Sequence, residues 1–198
     1  MTRTSIIVGD DGRARCAWVG VDEEYLRYHD EEWGTPLHGD RALFEKLSLE
    51  GFQAGLSWIT ILRRRPTFRT AFAGFDIDAV AAFDERDVER LMNDPGIIRN
   101  RAKIEATISN ARVTQDLIAG HPGALDALLW GFSPAPRASA PALLAELPAV
   151  TPESTAASKA LKKLGYRFVG PTTMYALMQS AGIVDDHVAG CWRSRSAT

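Results

Sequence analysis

Apolar residues recur at helical spacing along most of the chain, and runs that alternate apolar with polar residues are nearly absent. In the segment DRALFEKLSLEGFQAGL, Leu43, Phe44, Leu47 and Phe52 follow this spacing, and Asp40 is the predicted N-cap. Residues three or four positions apart share one face of an α-helix, whereas a half-buried strand needs a period of two. The pattern therefore predicts an all-α fold with at least six helices, separated by breaks that contain Pro or Gly.

The length and composition are those of one ordinary globular domain. Of the 198 residues, 45% are hydrophobic and 24% are charged, and the formal net charge of -2 argues against a uniformly basic surface but allows local basic patches. No apolar run is long enough for a signal peptide or a membrane span, so we expect a cytoplasmic protein with no membrane partner. We predict an N-terminal extension over 1–14, one two-lobed domain over 15–193 and a tail over 194–198. The Pro-rich loop over 133–142 is the candidate lobe boundary.

The segment DDHVAGC near the C-terminus contains a His and a Cys four residues apart, His187 and Cys191. On a helix they would share one face, and the N-terminal part of the chain offers Cys16 and His29. Two cysteines with two histidines suit tetrahedral Zn²⁺, and four protein ligands would make the metal structural. Two alternatives remain open at this point. The first is that the His and Cys spacing has arisen by chance and binds no metal. The second is a disulfide, which is less favoured in a reducing compartment.

The segment LKKLGYRFVGPTTMYALMQSAG predicts two helices joined by a short turn that contains Gly. The backbone amides of Gly170, Thr172 and Thr173 would lie at the N-terminus of the second helix, which is a suitable site for an anion. A DNA phosphate would fit there, with Lys162 and Lys163 adding positive charge. An ordinary helical hairpin without any ligand is the more common structure for such a pattern.

The segment SLEGFQAGLSW contains a carboxylate and an indole eight residues apart, Glu50 and Trp58, which would share a face of one continuous helix unless Gly55 interrupts it. Such a pair suits a flat cationic heterocycle, because the carboxylate accepts hydrogen bonds and the indole face attracts positive charge. Further aromatic side chains near His29 are Tyr25, Tyr28 and Trp33. The alternatives are aromatic residues that only pack in the core and a carboxylate on a solvated surface.

Five segments, taken in order, resemble the bacterial 3-methyladenine DNA glycosylase I family. They are RCAWV, YHDEEWG, LEGFQAGLSWITIL, GIIRNRAKI and SKALKKLGYRFVGPTTMYALMQSAGIVDDHVAGC. The resemblance covers roughly 15–192. It implies a zinc-containing, all-α fold of the helix-hairpin-helix glycosylase type, with the N- and C-terminal segments clamped by the metal. It also implies an enzyme that flips N3-alkylated purines, chiefly 3-methyladenine, out of double-stranded DNA and releases them by hydrolysis. We expect it to act as a monomer.

The resemblance assigns a role to each matching residue. It implies that one structural zinc per chain is held by Cys16, His29, His187 and Cys191, whereas His38 and His121 match no ligand. Glu50 corresponds to the glutamate that reads the edge of the damaged base, and Trp58 corresponds to the tryptophan that stacks on it. Tyr25 and Tyr28 match aromatic residues of the pocket, and Trp33 lies near them in the same motif. The segment FVGPTT matches the hairpin that binds phosphate, and we expect Gly55 and Leu56 to fill the space of the flipped base.

Two positions bear on the type of reaction. Asp185 stands where this family commonly has Asn and where many superfamily relatives have a catalytic Asp. The lysine nucleophile of strand-cleaving relatives is missing, since Thr172 occupies about that place, and this favours a monofunctional hydrolase without lyase activity. Two further functions stay open: a zinc-stabilised DNA-binding module without enzymatic activity, and a glycosylase of different base preference that uses Asp185 catalytically.

Overall fold

The computed structural model describes residues 4–194 and is a bundle of helices with one small β-hairpin. The predicted all-α class is confirmed, with nine α-helices in the described part of the chain. In order, the elements are β1 (Ile6–Val8), β2 (Ala14–Cys16), α1 (Glu23–Glu31), α2 (Asp40–Gln53), α3 (Trp58–Ala71), α4 (Ile77–Ala81), α5 (Glu85–Asn93), α6 (Arg101–Ile118), α7 (Ala124–Trp130), α8 (Pro152–Leu164) and α9 (Pro171–Ser180). Residues 1–3 of the predicted extension and 195–198 of the predicted tail lie outside the described residues.

The β-hairpin lies largely within the segment predicted as an N-terminal extension. Strands β1 and β2 pair antiparallel, with Ile6 opposite Cys16. The carbonyl of Ser5 accepts a hydrogen bond from the Ala17 amide at 2.8 Å, and the Ser5 hydroxyl accepts one from the Leu144 amide at 3.0 Å. The hairpin is therefore joined to the rest of the fold, and it delivers Cys16 to the interior.

The main core lies among α2, α3, α6, α8 and α9 and contains a cluster of phenylalanine rings. The ring centroid of Phe72 lies 5.8 Å from that of Phe52, 6.2 Å from that of Phe68 and 5.5 Å from that of Phe75. All four side chains are almost completely buried. Burial of apolar surface on this scale is the main force that holds the helices together.

The predicted N-cap role of Asp40 is wrong, because Asp40 is the first residue of α2 and Gly39 precedes it as the cap. The Asp40 carboxylate instead accepts hydrogen bonds from backbone amides at the start of α7, those of Gly123, Leu125 and Asp126, at 2.6 to 3.0 Å. These amides have no partner within their own helix, so a carboxylate at this end stabilises α7. The side chain thus joins α2 to α7.

A second, smaller cluster of buried side chains lies where the N- and C-terminal segments meet; it comprises Cys16, Tyr28, Trp33, Leu62, Val188 and Cys191. The aromatic residues Trp18, Tyr25 and Trp58 pack against it. Helix α9 packs on both α2 and α8. Its last residue, Ser180, donates a hydrogen bond to Glu50 near the end of α2. Within residues 4–194, none of the helices combines the length and apolar character needed to cross a membrane.

We expect Phe72→Ala to lower the free energy of unfolding by about 3 to 5 kcal/mol, because it leaves a cavity among rings that cannot close around it. Urea denaturation followed by circular dichroism measures this change. Val21→Ala is the control, since Val21 is 94% exposed, and its midpoint should be nearly that of the unmodified protein. Equal midpoints for the two variants would show that the ring cluster contributes little to stability.

Candidate active site and metal cluster

An aromatic cavity of about 220 Å³ opens beside the C-terminal end of α2. The structure brings all five residues predicted for the base pocket to its wall, and adds several that the sequence did not single out. The lining residues are Trp18, Tyr25, Tyr28, Trp33, Glu50, Gln53, Trp58, Leu147, Ala176, Gln179 and Ser180. Trp18 and Gln53 lie within the motifs RCAWV and LEGFQAGLSWITIL, so their proximity in sequence to the predicted pocket residues was the available signal.

Different helices supply the two principal pocket residues. Glu50 lies near the end of α2, the chain then turns at Gly55, and Trp58 is the first residue of α3. Gly55 has a φ of +83°, a conformation that favours glycine. One continuous helix through Glu50 and Trp58 is therefore ruled out. The start of α3 is fixed by the Tyr25 hydroxyl, which accepts a hydrogen bond from the Ile59 amide at 3.0 Å.

The Glu50 carboxylate is buried, which excludes the alternative of a solvated surface carboxylate. Its side chain is 3% exposed, and Oε1 accepts a hydrogen bond from the Ser180 hydroxyl at 2.9 Å. Within the described residues, Oε2 is buried without a hydrogen-bond partner. Burial raises the pKa of Glu50 to about 7, although the positive charge of Lys46 and the Ser180 hydrogen bond both oppose this rise.

The aromatic walls are built from rings in edge-to-face and tilted contact. The centroids of Tyr28 and Trp58 are 5.6 Å apart, and those of Trp18 lie 5.5 Å from Tyr25 and 5.1 Å from Trp33. These spacings are typical of favourable aromatic pairs. Flat apolar walls with one carboxylate that has a free acceptor oxygen suit a planar heterocycle carrying N–H donors and positive charge.

Three of the four predicted metal ligands come together in the smaller cluster. The ligand atoms of Cys16, His29 and Cys191 all lie within 4.8 Å of one another, and the three residues are buried. The fourth, His187, lies outside that group, but its ring centroid is 5.1 Å from that of His29 and its Nε2 is buried without a hydrogen-bond partner. Both cysteines are free thiols, so the structure does not contain the alternative disulfide.

Carboxylates outside the cluster fix the orientation of both histidine rings. Nδ1 of His29 donates to Asp30 at 2.8 Å, and Nδ1 of His187 donates to Asp185 at 2.8 Å. This arrangement leaves the Nε2 atoms as the nitrogens available for a metal ion, as is usual for metal-binding histidines. Gly34 allows the His187 ring to lie close, because a Cβ at this position would be 2.6 Å from its Cε1 atom.

Asp30 also ties the two ends of the chain to each other. Arg15 donates to both of its oxygens at 2.7 to 3.0 Å, and the Trp192 indole donates at 3.1 Å. Burial raises the pKa of Asp30, but hydrogen bonds from Arg15, His29 and Trp192 outweigh it and lower that pKa to about 2.

A hydrogen bond from Cys16 lowers the pKa of the Cys191 thiol, and His29 lowers it further. Buried thiolate and neutral imidazole are the donor types that zinc prefers.

Asp185 lies apart from the aromatic cavity and borders another cavity, next to His187. Besides its contact with the His187 ring, it accepts a hydrogen bond from the His187 backbone amide at 3.1 Å. These two hydrogen bonds orient a predicted metal ligand rather than a base in the pocket.

The turn between α8 and α9 presents the predicted phosphate-binding residues at a helix N-terminus. Helix α8 ends before Gly165, and α9 begins after Gly170, which has no side-chain cap. A Cβ on Gly170 would meet no atom within 4 Å, so this end of α9 faces open space. The side chains of Lys162, Lys163 and Thr172 are exposed, and that of Thr173 is half-buried. Their contact with DNA stays a prediction.

The turn between α2 and α3 carries the two residues predicted to fill the space of a flipped base. Gly55 and Leu56 are both exposed, and Leu56 is 41% exposed, which is unusual for a large apolar side chain. The buried Lys103 ammonium stabilises this turn, because it donates to the carbonyls of Phe52 and Ala54 at 2.8 and 2.6 Å. The wedge role of this turn is likewise still a prediction.

The chain is similar to known proteins of one family over most of its length. The sequence pattern of the Methyladenine glycosylase family matches residues 18–194. DNA-3-methyladenine glycosylase 1 of Escherichia coli (strain K12) is 48% identical over 178 residues, which cover 89% of this chain and 95% of the relative. A crystal structure of 3-methyladenine DNA glycosylase I (TAG) has a TM-score of 0.86 and 47% identity, covering 90% of this chain and 98% of that chain. A variant of 3-methyladenine DNA glycosylase I in complex with 3-methyladenine has a TM-score of 0.83 and 34% identity, covering 89% and 95% of the two chains. The chain therefore belongs to the methyladenine glycosylase family.

Proposed function

We propose that this protein is a DNA glycosylase that removes N3-alkylated purines, chiefly 3-methyladenine, by hydrolysis of the N-glycosyl bond. The observation that carries the proposal is the Glu50 carboxylate, which is buried at an aromatic cavity and has one oxygen without a hydrogen-bond partner among residues 4–194. The relative in Escherichia coli is named for this activity, and a related solved structure holds 3-methyladenine. A module that only binds DNA has no need of such a buried carboxylate.

Recognition begins when the damaged nucleotide leaves the duplex, which costs least for a base that already stacks and pairs poorly. The turn that carries Gly55 and Leu56 fills the space that the flipped nucleotide leaves in the duplex. An N3-methylated adenine carries a positive charge, so it stacks on Trp58 and is attracted by the ionised Glu50 carboxylate. Glu50 accepts a hydrogen bond from the exocyclic amine through its free oxygen. A normal, uncharged adenine gains less from these contacts.

The chemical step breaks the bond between the anomeric carbon and the base nitrogen. The bonding electrons leave with the base, which becomes neutral because it was a cation before. A water molecule adds its oxygen to the anomeric carbon and loses a proton, so the products are free 3-methyladenine and an abasic site. Glu50 stabilises the positive charge on the base and sugar during bond breaking. With Thr172 in place of a hairpin lysine, no amine is available there for strand cleavage.

Binding to double-stranded DNA relies on the α8–α9 turn. The amides of Gly170, Thr172 and Thr173 bind a phosphate at the N-terminus of α9, while Lys162 and Lys163 supply long-range attraction. Each chain carries a complete cavity of its own, so the protein acts as a monomer. Its substrate is the DNA of the cell, and we place it in the cytoplasm for that reason.

A structural zinc ion held by Cys16, His29, His187 and Cys191 completes the proposal. The donor set fits the ion, because two buried thiols and the His29 imidazole converge, and the His187 ring lies next to His29. Within the described residues, the His187 Nε2 atom is buried without a hydrogen-bond partner. Four protein ligands leave no site for water, so the ion contributes to stability rather than to the reaction. It would clamp β2 and α1 to the segment that follows α9.

We expect Glu50→Gln to lower the single-turnover rate of 3-methyladenine release by about 100- to 1000-fold, because the neutral amide no longer stabilises a developing cation. The measurement is chromatography of bases freed from methylated duplex DNA. Asp185→Asn is the matched control and should lower the rate only a few-fold, with folding and zinc content checked in both variants. Abolished release in Asp185→Asn together with near-normal release in Glu50→Gln would move the catalytic role to Asp185.

Purified protein should contain about one zinc ion per chain by elemental analysis, and His187→Ala should lose the ion and melt at a lower temperature. His121→Ala is the control, since His121 is exposed and outside the cluster, and its metal content should match that of the unmodified protein. Folded protein without zinc, or equal zinc in both variants, would contradict the clamp.

We expect the double variant Lys162→Ala/Lys163→Ala to bind all DNA sequences more weakly and with a flatter salt dependence. The slope of log affinity against log salt should fall by about one for each phosphate that the variant no longer neutralises. The control Arg86→Ala removes an exposed charge on α5 and should leave the slope unchanged. An unchanged slope in the double variant would remove these lysines from the interface.

A further inference from the structure

Lys46 is a buried lysine next to the base cavity that has no part in the mechanism above. It lies on α2, one helical turn before Glu50, and is 7% exposed. Its Nζ atom is 5.3 Å from the centroid of the Tyr28 ring and 5.6 Å from that of the Trp58 ring. Both rings line the base cavity, whereas Lys46 does not. The ammonium therefore lies behind the aromatic wall, at a distance at which a cation is attracted by the ring faces.

A second cavity of about 220 Å³ adjoins the first, and its wall is charged. Lys46, Glu32, Glu45 and Arg65 line it, and Ser180 lines both cavities. The hydroxyl that donates to Glu50 thus belongs to the partition between an aromatic compartment and a charged one. Lys46 and Glu50 lie on the same helix, at the two sides of this partition.

The other charges near Lys46 are already paired. Arg65 donates to both oxygens of Glu32 at 2.5 and 2.7 Å, and Arg69 donates to Glu45 at 2.8 Å. Within residues 4–194, no ion pair of 4.0 Å or less involves either Lys46 or Glu50, so both charges lack the close partner that Glu32 and Glu45 have. Residues four positions apart on a helix are neighbours, so each feels the charge of the other.

We propose that Lys46 is a positioning residue that keeps the Glu50 carboxylate ionised inside the base cavity and thereby sets the lowest pH at which the enzyme releases bases. The proposal rests on the proposed function, since it concerns the carboxylate that recognises the base. The aromatic rings separate the ammonium from the cavity, so Lys46 acts on Glu50 without touching the substrate.

The electrostatics of the pair agree with this role. Burial raises the pKa of Glu50, and the positive charge of Lys46 is the largest effect that opposes the rise. Burial lowers the pKa of Lys46, while the negative charges of Glu50 and Glu32 oppose that change and Arg65 adds to it. Tyr28 and Trp58 line the same cavity as Glu50. The Tyr28 phenol is uncharged, because burial raises its pKa well above the usual value, and the Trp58 indole does not titrate. Without Lys46, a carboxylate in this cavity would hold its proton at neutral pH.

The test is the pH dependence of kcat/KM for base release from methylated duplex DNA, because this quantity reports the ionisation of the free enzyme. The substrate carries a fixed charge, so an acid limb belongs to the protein. Activity that needs ionised Glu50 is lost as the pH falls through its pKa, which is about 7. Lys46→Met keeps an unbranched side chain, one atom shorter, but removes the charge, so its acid limb should move to higher pH by about one unit.

Lys46→Arg keeps the charge and is the matched control, so its acid limb should stay near that of the unmodified protein. If the Met variant does not fold, Lys46→Gln gives the same comparison with a polar end in the charged cavity. Thermal unfolding across the pH range confirms that every variant stays folded where it is assayed. A side chain with only a structural role would lower the rate equally at every pH.

An acid limb that does not move in a folded Lys46→Met or Lys46→Gln variant overturns this inference while the proposed function stands. Equal displacement in Lys46→Arg also overturns it, because charge would then not be the cause. If the unmodified protein releases no base at any pH, the proposed function itself fails, and this outcome is distinct from the other two.

Discussion

The hydrogen bond from Ser180 to Glu50 is the contact on which the site depends. It joins the end of α9 to the end of α2, and it partly compensates a carboxylate that has been taken out of water. An ionised carboxylate without such partners would be too costly to bury, and it would take up a proton instead. Because the second oxygen has no protein partner in the described residues, the fold leaves one strong acceptor for a ligand. The aromatic rings around it then decide which ligands fit.

The two ends of the chain form the second structural constraint on the cavity. Arg15 and the Trp192 indole both donate hydrogen bonds to the Asp30 carboxylate, and the Trp192 amide donates to the carbonyl of Ala14 at 2.8 Å. Asp30 in turn orients the His29 ring, which lies near the wall residue Trp33 with centroids 6.1 Å apart. Protein contacts alone therefore bring the predicted metal ligands together beside the aromatic cavity. A zinc ion there would hold the aromatic wall in place without entering the chemistry.

Much of the architecture was predictable because helical spacing of apolar residues is a local property. One departure comes from a tertiary contact, because Asp40 caps α7 rather than its own helix. The interruption at Gly55 was left open by the sequence, and the positive φ of this residue places Trp58 on a new helix. The pocket residues could be named because their motifs resemble a known family, whereas spacing alone favoured packing in the core for each aromatic residue. Lys46 could not be predicted, since a lysine in an amphipathic helix usually points to solvent and its burial depends on rings contributed by α1 and α3.

The different roles proposed for Glu50 and Asp185 follow from the charge of the proposed substrate. A base that is already a cation leaves readily, so a strong acid near the leaving group adds little, and an anion that favours the cation is the more useful group. Glu50 suits this need because its side chain lines the cavity and, within the described residues, one of its oxygens has no hydrogen-bond partner. Asp185 instead hydrogen-bonds to both the ring and the backbone of His187. Moving Asp185 towards the aromatic cavity would break its contacts with His187, a predicted metal ligand. In the proposed mechanism, Asp185 therefore has a supporting role, and Glu50, which Lys46 keeps ionised in our proposal, selects the damaged base.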